Sequence, residues 1–499
     1  PGSDIEFLST KPKSDFEGEI SQTFSNNDSL SQISISGKNN QIWYKTSFGY
    51  YDRDNYKLSN DFVPTAVQPT DERVNSDKLS KSAMVKVGYL ISENNEIAFK
   101  VSASEADYGI APTEIDSASY RYKRIKDQKI NNFYLYFDNK LDKSELNLRA
   151  YYDTYKDILL EYKDSTYSSL KDGYALPPTQ YDISRIGALA KYSLIEDKNK
   201  LSFVLNYEEN QNTITREKYL NSDSVPSWKF QNVLSSLILQ NKINSVNIES
   251  ALTYKKYTPL KIDYDGYAFA SSADATNKDL VDAQVMVSVP VENYVIFTNL
   301  AKTSRIPSMF ELATFSSYEE ANLGLKPEIS KNVEIGIRKN LSTGYFSVSG
   351  YYYDIKDKIL KKDDMYINDP KSINQGIEIK YNFERDNQSL NFGYSYIDAK
   401  DSSGKQINLI PHNKAKIDYK FQASSAMAFL ASYSYFDKST YDDETLPSYE
   451  LVDISSSYKF QKNITLTASI KNLFDENYFY TYTDPAAGRS YYLTMNWKF

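Results

Sequence analysis

The chain has 499 residues, a net charge of −8 and no cysteine, and its mean hydropathy is −0.58. Without cysteine it cannot form disulfides, use a thiol nucleophile or hold a cysteine-ligated metal, and its acidic balance argues against a nucleic-acid partner. No run of about 18 apolar residues occurs, which excludes a transmembrane helix. The 45 tyrosines and 24 phenylalanines are an unusually large aromatic share, and aromatic residues form the two interfacial girdles of membrane β-barrels.

Segments in which apolar and polar residues alternate recur along the whole chain. Alternation with period two predicts a strand that has one apolar and one polar face. We count 22 such segments, at residues 16–24, 30–37, 41–51, 82–91, 95–104, 130–138, 145–154, 182–195, 200–209, 229–240, 245–255, 279–289, 292–301, 331–339, 344–354, 374–382, 389–397, 414–422, 427–436, 450–458, 463–470 and 490–499. A soluble β-sandwich array or a solenoid is the alternative, but no repeat of 20–50 residues is visible.

The connections between these segments fall into two classes. Short turns such as Ser92–Asn95 and Leu341–Gly344 alternate with long gaps. The long gaps are expected near 52–81, 105–129, 155–181, 210–228, 256–278, 302–330, 355–373, 398–413, 437–449 and 471–489. The sequence therefore predicts an all-β fold, a 22-stranded antiparallel transmembrane β-barrel with long extracellular loops and short periplasmic turns, located in a bacterial outer membrane.

The two faces of the predicted strands differ in charge. One face is uncharged, as in Ile97, Phe99, Val101, Ala103, Leu146, Leu148, Ala150, Tyr152, Val333, Ile335, Ile337, Ile377, Ile379, Tyr381, Ala415, Ile417, Tyr419 and Phe421. The other face carries Lys100, Glu145, Arg149, Glu334, Arg338, Glu378, Lys380, Lys414, Lys416, Asp418 and Lys420. A lysine or arginine at the middle of a bilayer costs about 2–4 kcal/mol, so the uncharged faces are expected to contact lipid and the charged faces to line the lumen.

Two regions carry recognisable motifs. One is Thr303–Leu312 with Leu325–Glu328 and the strand Asn332–Arg338 after it, and the other runs from Ile470 through Arg489 to Phe499. They resemble the conserved loop and the C-terminal box of TonB-dependent outer-membrane receptors. We expect the motif residues to be structural, with prolines stiffening a loop and a glycine permitting a tight turn. They are Arg305, Pro307, Glu311, Leu312, Pro327, Glu328, Asn472, Leu473, Phe474, Gly488, Arg489 and Phe499.

The resemblance also implies what the chain lacks. Family members carry an N-terminal plug inside the barrel, preceded by a short box that binds TonB, and barrels of this size need such a plug to fill their lumen. Ile5–Pro12 resembles the last plug strand and its hinge. We expect residues 1–3 to be a cloning scar, 4–13 the residual end of the plug and 14–499 the barrel. The resemblance then implies a monomer that contacts outer-membrane lipid and lipopolysaccharide, with TonB binding confined to the full-length protein.

The inventory of metal-binding residues narrows the choice of ligand. Haem capture generally needs an axial histidine or tyrosine, and the haem receptors of this family place a histidine within the 303–328 motif, where this chain has none. The single histidine, His412, is expected to be a turn residue. Zinc and copper sites favour histidine, cysteine and methionine, which are scarce here. No cofactor is predicted, and ferric siderophores, cobalamin or a glycan are left as transported ligands.

One short run suits an anionic aromatic ligand. Ferric catecholate complexes would be held by cations and aromatic faces, and the densest such run is Tyr120, Arg121, Tyr122, Lys123 and Arg124. The same loop could instead contact lipopolysaccharide phosphates or simply be solvated. Cobalamin, which is neutral, could use the tyrosine-rich stretch from Tyr478 to Tyr482.

An enzyme and a passive porin are the two alternative function classes. An enzyme is not predicted, because a lone His412 without a nucleophile or paired acids provides no catalytic constellation. A passive wide-pore porin is the other alternative, but porins have 16–18 strands. The predicted function is therefore a receptor that takes up a scarce nutrient, with a siderophore first and cobalamin second.

Overall fold

The computed structural model describes residues 11–112, 121–171, 178–216, 227–262, 277–312, 322–362, 365–441, 444–481 and 484–499. Within them, 22 strands form one closed antiparallel sheet. The strands of this barrel are β1 (Glu17–Ser25), β2 (Asp28–Asn39), β3 (Ile42–Arg53), β4 (Lys78–Ser92), β5 (Asn95–Ile110), β6 (Tyr122–Leu141), β7 (Ser144–Tyr162), β8 (Thr179–Glu196), β9 (Asn199–Arg216), β10 (Ser227–Ile243), β11 (Val246–Ile262), β12 (Lys278–Val291), β13 (Tyr294–Arg305), β14 (Glu328–Leu341), β15 (Gly344–Lys362), β16 (Met365–Arg385), β17 (Gln388–Lys400), β18 (Asn413–Gln422), β19 (Met427–Phe436), β22 (Tyr449–Gln461), β23 (Ile464–Lys471) and β26 (Ser490–Lys498). The hairpins β20 (Ser439–Tyr441) with β21 (Glu444–Leu446) and β24 (Phe479–Thr481) with β25 (Asp484–Pro485), and the helix α1 (Met309–Leu312), lie outside this sheet.

The first and last barrel strands pair with each other and close the sheet. The register places Ile20 opposite Trp497, and the Gly18 amide donates to the Phe499 carbonyl at 2.8 Å. The Phe499 amide in turn donates to the Gly18 carbonyl at 3.0 Å. The alternating C-terminal segment is therefore the closing strand, and the predicted 22-stranded barrel is confirmed.

The two ends of the barrel are built differently. At one end, here the turn end, strands are joined by tight connections such as 40–41, 142–143 and 197–198. Asn40 and Asp197 adopt positive φ there, as two-residue hairpin turns require. At the opposite end, here the loop end, long connections such as 54–77, 306–327 and 472–489 carry most of the irregular chain.

Several hairpins rise further at the loop end than the alternation predicts. The expected gap 355–373 is wrong, because β15 and β16 continue as paired strands on either side of residues 363–364. The gap 105–129 is likewise mostly strand. Above the membrane no lipid contacts the outer face of a strand, so backbone pairing persists there without an apolar outer face to mark it in the sequence.

The outward face of the sheet is apolar. Ile335, Leu205 and Leu300 are 62%, 53% and 50% exposed on it, and the other faces predicted to contact lipid, such as Ile97–Ala103 and Val333–Ile337, lie on the same surface. Exposed aliphatic side chains in such number require a lipid environment. Among the described residues, no helix has the length and apolar character needed to cross a membrane.

A glycine on the inner wall gives a test of this packing. The Trp43 ring, 4% exposed, covers Gly88 so closely that an added Cβ would lie 2.1 Å from the ring atom Cε2. Trp43 cannot move freely, since its Nε1 donates to Glu96 at 3.0 Å. We expect Gly88→Ala to destabilise the barrel by about 1–3 kcal/mol through overpacking.

The matched control is Gly393→Ala, because a Cβ at Gly393 meets no atom within 4 Å. Thermal unfolding in detergent, followed by circular dichroism and by the gel shift between folded and boiled protein, measures both variants. Equal midpoints for the two alanine variants would contradict the proposed packing of Trp43.

Candidate functional site

The connection 306–327, here the mouth loop, folds against the inner wall of the barrel at the loop end. Leu312 and Leu325 on it are 2% and 0% exposed. They pack in one apolar cluster with Trp228 and Tyr257, which the strand alternation directs inward. The remaining members of the cluster are Ile214, Met309, Leu323 and Ile359, with Tyr181, Phe230, Ile262, Ile306 and Tyr366 at its edge. The described parts of this loop therefore belong to the packed structure of the mouth.

A single arginine ties both ends of the mouth loop together. The Arg305 guanidinium donates to Glu328 through Nε at 2.9 Å and to Glu311 through a terminal nitrogen at 2.9 Å. Glu311 also accepts the Ser308 amide at 2.7 Å, and Glu328 accepts the Ile359 amide at 2.8 Å. Planar, bidentate pairing of this kind is specific to arginine.

The network also sets the ionisation of its carboxylates. Burial of Glu311 opposes its charge, but hydrogen bonds from Arg305 and Ser308 outweigh that cost and hold the pKa of Glu311 below its ordinary value of 4.5. Pro307 is buried and Pro327 half-buried at the two ends of the loop. Arg305, Glu311 and Glu328 are thus engaged with one another.

The C-terminal motif holds a second loop in place. Asp475, at a positive φ, accepts hydrogen bonds from the amides of Asn60 at 3.0 Å and Arg489 at 2.7 Å. Asn472 receives the Glu476 amide at 2.8 Å and is 5% exposed. A Cβ on Gly488 would lie 2.6 Å from the Leu58 carbonyl, so only glycine fits there.

The remaining motif positions take up different surroundings. The Leu473 amide donates to the Val452 carbonyl at 2.8 Å, and Arg489 reaches the Leu473 carbonyl at 3.4 Å. Phe474 is 75% exposed. Phe499 lies at the barrel seam, with its ring 5.8 Å from that of Phe16.

The basic–aromatic run does not form one surface. Tyr120 lies outside the described residues, and Tyr122, Lys123 and Arg124 belong to β6 and not to a loop. Successive side chains of a strand point to opposite faces, so Tyr122 and Arg124 share the outward face while Lys123 faces inward. Arg121 comes just before the strand. The pairing of Ile125, 7% exposed, with Tyr108 assigns the inward face.

The Arg124 side chain binds the loop 54–77. It donates to both carboxylate oxygens of Asp77, at 2.8 and 2.6 Å, and to the Asn75 side chain at 2.7 Å. These hydrogen bonds hold the pKa of Asp77 below its ordinary value, against a smaller opposing effect of burial. Asn75 completes the link by donating to the carbonyls of Ile110 and Lys123, each at 2.8 Å.

A second arginine, which sequence reasoning missed, joins three loops at one point. Arg73 is fully buried, and it donates to the Pro112 carbonyl at 2.9 Å, to Gln68 at 3.2 Å and to Asp484 at 3.3 Å. The Tyr56 hydroxyl also reaches the Pro485 carbonyl at 3.2 Å. The loop 54–77 therefore connects the base of the basic run to the C-terminal loop.

A stack of aromatic rings lines the mouth on the opposite side of this connection. Phe436 stacks on Tyr449 at 4.8 Å, Tyr449 on Tyr478 at 4.7 Å, and Tyr480 meets Tyr478 edge-on at 5.5 Å. Burial, together with Tyr480, raises the pKa of Tyr478. The sequence pointed to the tyrosines of the C-terminal stretch but not to Phe436 and Tyr449, which lie opposite each other on the neighbouring strands β19 and β22. Tyr482 lies outside the described residues.

Below the mouth, the inner wall carries a ladder of cations on aromatic rings. Lys86 lies 4.5 Å and Arg149 4.9 Å from the Tyr136 ring centre, and Arg185 lies 5.1 Å from that of Tyr151. The ladder also includes Trp43, Lys100, Tyr134, Asp138, Asp153 and Glu208. The lumen wall is thus densely polar, as a water-filled or plug-filled barrel requires.

His412 occupies a connection and contacts the backbone. Its Nδ1 lies 2.9 Å from the Ile397 carbonyl, and its ring stacks on Tyr396 at 5.9 Å. In the part of the chain that the structure describes, no three side chains of the histidine and carboxylate kind are grouped to hold a metal ion.

The Arg305 network predicts a pH-dependent mouth loop. Because the pKa of Glu311 is depressed in the folded state, its stabilising effect is complete above about pH 4.5 and is lost as the pH falls through the folded-state pKa. We expect Arg305→Ala to lower the free energy of opening of the loop by roughly 1–2 kcal/mol already at neutral pH. The expected value is low because Arg305 is half exposed. Hydrogen-exchange protection factors of residues 306–312 and 322–327 measure both effects.

Glu311→Gln should remove the pH dependence, and Lys326→Ala, an exposed change in the same loop, is the control for general loosening. An unchanged protection factor in Arg305→Ala would show that apolar packing alone holds the loop.

The chain is similar to known proteins in sequence and in architecture. Residues 10–473 match the family model described as TonB dependent receptor-like, beta-barrel. A curated relative, the vitamin B12 transporter BtuB of Photobacterium profundum, is 24% identical over 380 residues, which are 70% of this chain and 62% of that protein. The aligned region is therefore less than two thirds of the relative's length.

Solved structures show the same architecture. The copper transporter OprC aligns with a TM-score of 0.83 at 15% identity, covering 99% of this chain and 82% of that one. The FrpB iron transporter from Neisseria meningitidis (F5-1 variant) aligns with a TM-score of 0.79 at 16% identity, covering 98% of this chain and 83% of that one. The siderophore receptor PirA from Acinetobacter baumannii aligns with a TM-score of 0.77 at 14% identity, covering 98% of this chain and 81% of that one. At such identities these likenesses show the fold alone. The family match over most of the chain and the closed 22-stranded sheet together place this protein in the TonB-dependent receptor-like β-barrel family, as a β-barrel of the outer membrane.

Proposed function

We propose that this barrel belongs to a TonB-dependent transporter that takes up a ferric siderophore of the anionic catecholate type. The observation that carries the proposal is the construction of the mouth. The inward-facing Lys123 of β6, with Arg121 just before that strand, and an aromatic stack on β19, β22 and the C-terminal loop are joined through the buried Arg73 and the loop 54–77. A mouth that presents both charge and aromatic faces on one connected frame suits a ligand that is anionic and aromatic.

The cations of the proposed site are Arg121 and Lys123. Lys123 occupies the inward face of the β5–β6–β7 hairpins and Arg121 comes just before β6, whereas Arg124 and Tyr122 face outward and are assigned structural roles. Each charge-assisted hydrogen bond to a catecholate oxygen is worth about 1.5–3 kcal/mol where water is excluded. Of the five ligand-binding residues predicted from the sequence, the proposal therefore keeps two.

The aromatic part of the site offers ring faces and not anionic ligands. Because its pKa is raised, Tyr478 stays a neutral phenol at physiological pH, and Tyr480 beside it is 59% exposed. Neutral tyrosines stack on planar ligands but do not capture a bare ferric ion as phenolates would. This supports a preformed organic complex of iron as the ligand.

We also propose that a plug precedes the barrel in the intact protein and that TonB acts on the segment before it. Lys11 forms an ion pair with Glu96, an inward-facing residue that also receives the Trp43 indole. Residues 11–13 thus run along the inner wall near the turn end, and a chain continuing before them would enter the lumen. Residues 5–10 of the hinge-like segment lie outside the described part of the chain.

Cobalamin is the second candidate. Two observations favour it, the aromatic stack of Phe436, Tyr449, Tyr478 and Tyr480, and the similarity to a vitamin B12 transporter over 380 residues. A neutral ligand would use the stack and make little use of the cations. The two ligands therefore differ in which side of the mouth they need.

Paired substitutions distinguish these ligands. In the siderophore proposal, Arg121→Ala with Lys123→Ala weakens binding of a ferric tris-catecholate complex by more than tenfold, and more at low salt, because the lost contacts are electrostatic. Tyr478→Ala with Tyr480→Ala weakens the binding of both ligands. Tryptophan and tyrosine fluorescence quenching of the detergent-solubilised protein measures the affinities.

Lys126→Ala, on the outward face of the same strand, is the matched control. Retention of full catecholate affinity by the double cation variant, or tight cobalamin binding without catecholate binding, would refute the siderophore assignment and leave the barrel assignment standing.

Conductance tests the proposal that the plug lies outside this chain. A protein of these 499 residues should form wide, ohmic channels in planar bilayers, because the wall side chains of a 22-stranded barrel are too short to fill its lumen. Channels as tightly closed as those of an intact receptor would contradict this. Adding the residues that precede Ile5 in the native protein should lower the conductance.

A further inference from the structure

The strand β18 carries a column of lysines on the inner wall of the barrel. Lys414, Lys416 and Lys420 alternate with the outward-facing Ile417 and Tyr419, which are 36% and 38% exposed, so all three lysines point into the lumen. From Lys414 near the loop end to Lys420, the column follows about 20 Å of strand. We call these three residues the lysine column.

The lysine column carries more positive charge than its surroundings neutralise. Lys416 pairs with Asp418 on the same face at 3.2 Å, and Asp418 also accepts the Ser432 hydroxyl at 2.7 Å. In the part of the chain that the structure describes, neither Lys414 nor Lys420 has a carboxylate within ion-pair distance. Three lysines therefore share one carboxylate that already has two partners.

Most of the side chains beside the lysine column are small. The residues directly opposite it or opposite Asp418 are Ser395, Gly393, Asn391 and Ser389 on β17, and Phe436, Ser434, Ser432 and Leu430 on β19. The inner wall continues beyond β19 with short hydroxyl side chains, namely Ser455, Ser457, Thr467, Ser469, Thr494, Thr23 and Ser21. Small neighbours leave the lysines room to extend into the lumen, and a lysine is a point charge on a flexible stem.

The lysine column begins directly below the aromatic stack of the mouth. Lys414 lies opposite Phe436, the first ring of that stack, and directly opposed residues on one face have Cβ atoms about 5 Å apart. A ligand that contacts the rings of Phe436 and Tyr449 therefore has the first lysine of the column within reach. This wall offers ring faces above and unneutralised positive charge below, which suits an anionic aromatic ligand.

The cations on the opposite wall are in a different state. Arg149 pairs with Asp138 at 2.8 Å and Arg185 pairs with Asp153, and both guanidinium groups lie over tyrosine rings. Cations that are neutralised in this way stabilise the wall but attract a mobile anion only weakly. Hydration of the lumen alone would need no excess of one charge on either wall, so the excess at the lysine column points to an anionic ligand.

We propose that the lysine column is a second binding site for the transported anion, inside the lumen and below the mouth. The inference deepens the siderophore proposal and rests on it for the identity of the ligand. Positions two residues apart on a strand are about 6.6 Å apart, so a tris-catecholate complex can contact two successive lysines. Passage through a pore requires binding that is favourable but divided over several sites, and separate flexible lysines provide this.

Because the chain contains no cysteine, a single introduced thiol can report the charge at the lysine column. Gly393→Cys places the thiol opposite Lys416, where a Cβ meets no atom within 4 Å. The matched control is Ser82→Cys, which faces the lumen from β4 between Gly49 and Ser104. Rates of reaction with an anionic and with a cationic thiosulfonate reagent are measured in detergent. We expect the anionic-to-cationic rate ratio to be about tenfold higher in Gly393→Cys than in Ser82→Cys.

Protection of the same thiol tests the binding of a ligand. Iron(III) tris-catecholate, which is anionic, should slow the modification of Gly393→Cys but not that of Ser82→Cys, and salt should weaken this protection. Changing the three lysines of the column to glutamine should abolish both the high rate ratio and the protection, and changing them to arginine should preserve both. The control is the same glutamine change at three lumen-facing lysines of other strands, Lys45, Lys100 and Lys191, which should have no effect.

Only variants that retain the gel shift between folded and boiled protein are compared. Equal rate ratios at the two cysteine positions, or protection that survives the three glutamine changes in the column, would overturn the inference. Failure of the siderophore proposal gives a different result. Arg121→Ala with Lys123→Ala would then leave catecholate affinity unchanged, while the rate ratio in Gly393→Cys, which requires no ligand, would stay high.

Discussion

The closure of the sheet is the constraint on which the rest of this structure depends. Inside a bilayer no water satisfies backbone amides and carbonyls, so a sheet can cross only if its two edges pair with each other. Here β1 and β26 pair with each other, and two reciprocal backbone hydrogen bonds between Gly18 and Phe499 continue the pairing to the end of the chain. Once 22 strands are closed in this way, the lumen is too wide for wall side chains to fill. A polar lining and an inward-folded mouth loop both follow from this circumference.

Above the membrane water can satisfy backbone amides and carbonyls, and the loops are held in place by specific side-chain contacts. The mouth loop depends on Arg305 with two glutamates and on the apolar cluster around Leu312 and Leu325. The loop 54–77 depends on Arg73 and Arg124. In each case an arginine satisfies several acceptors from different segments, which one planar group with five donors can do. Removing one such group would leave several acceptors without a partner.

The sequence predicted the strands that cross the membrane, but it did not predict how the loops contact one another. All 22 strands could be located, because lipid on one face and water on the other force an alternation that can be read locally. How far β15 and β16 extend above the membrane could not be predicted, since no lipid contacts their outer faces there. Arg73 was missed because its partner Asp484 is 411 residues away and nothing near either residue marks the contact. The motif around Arg305 was recognised from family resemblance, not from the residues' own chemistry.

The assignment of cations in β6 depends on one irregularity that no sequence pattern indicated. Phe133 and Leu135 face lipid, so an unbroken strand would also direct Lys123 and Arg121 outward. Between Lys126 and Lys129 the register with β7 shifts, and two residues lie opposite Asp157 alone. Such a bulge exchanges the faces of everything beyond it. Lys129 therefore stays on the lipid side while Lys123 turns into the mouth. A single inserted residue in this hairpin thus separates the lysine proposed to contact the transported ligand from the lysine on the lipid-facing side of the strand.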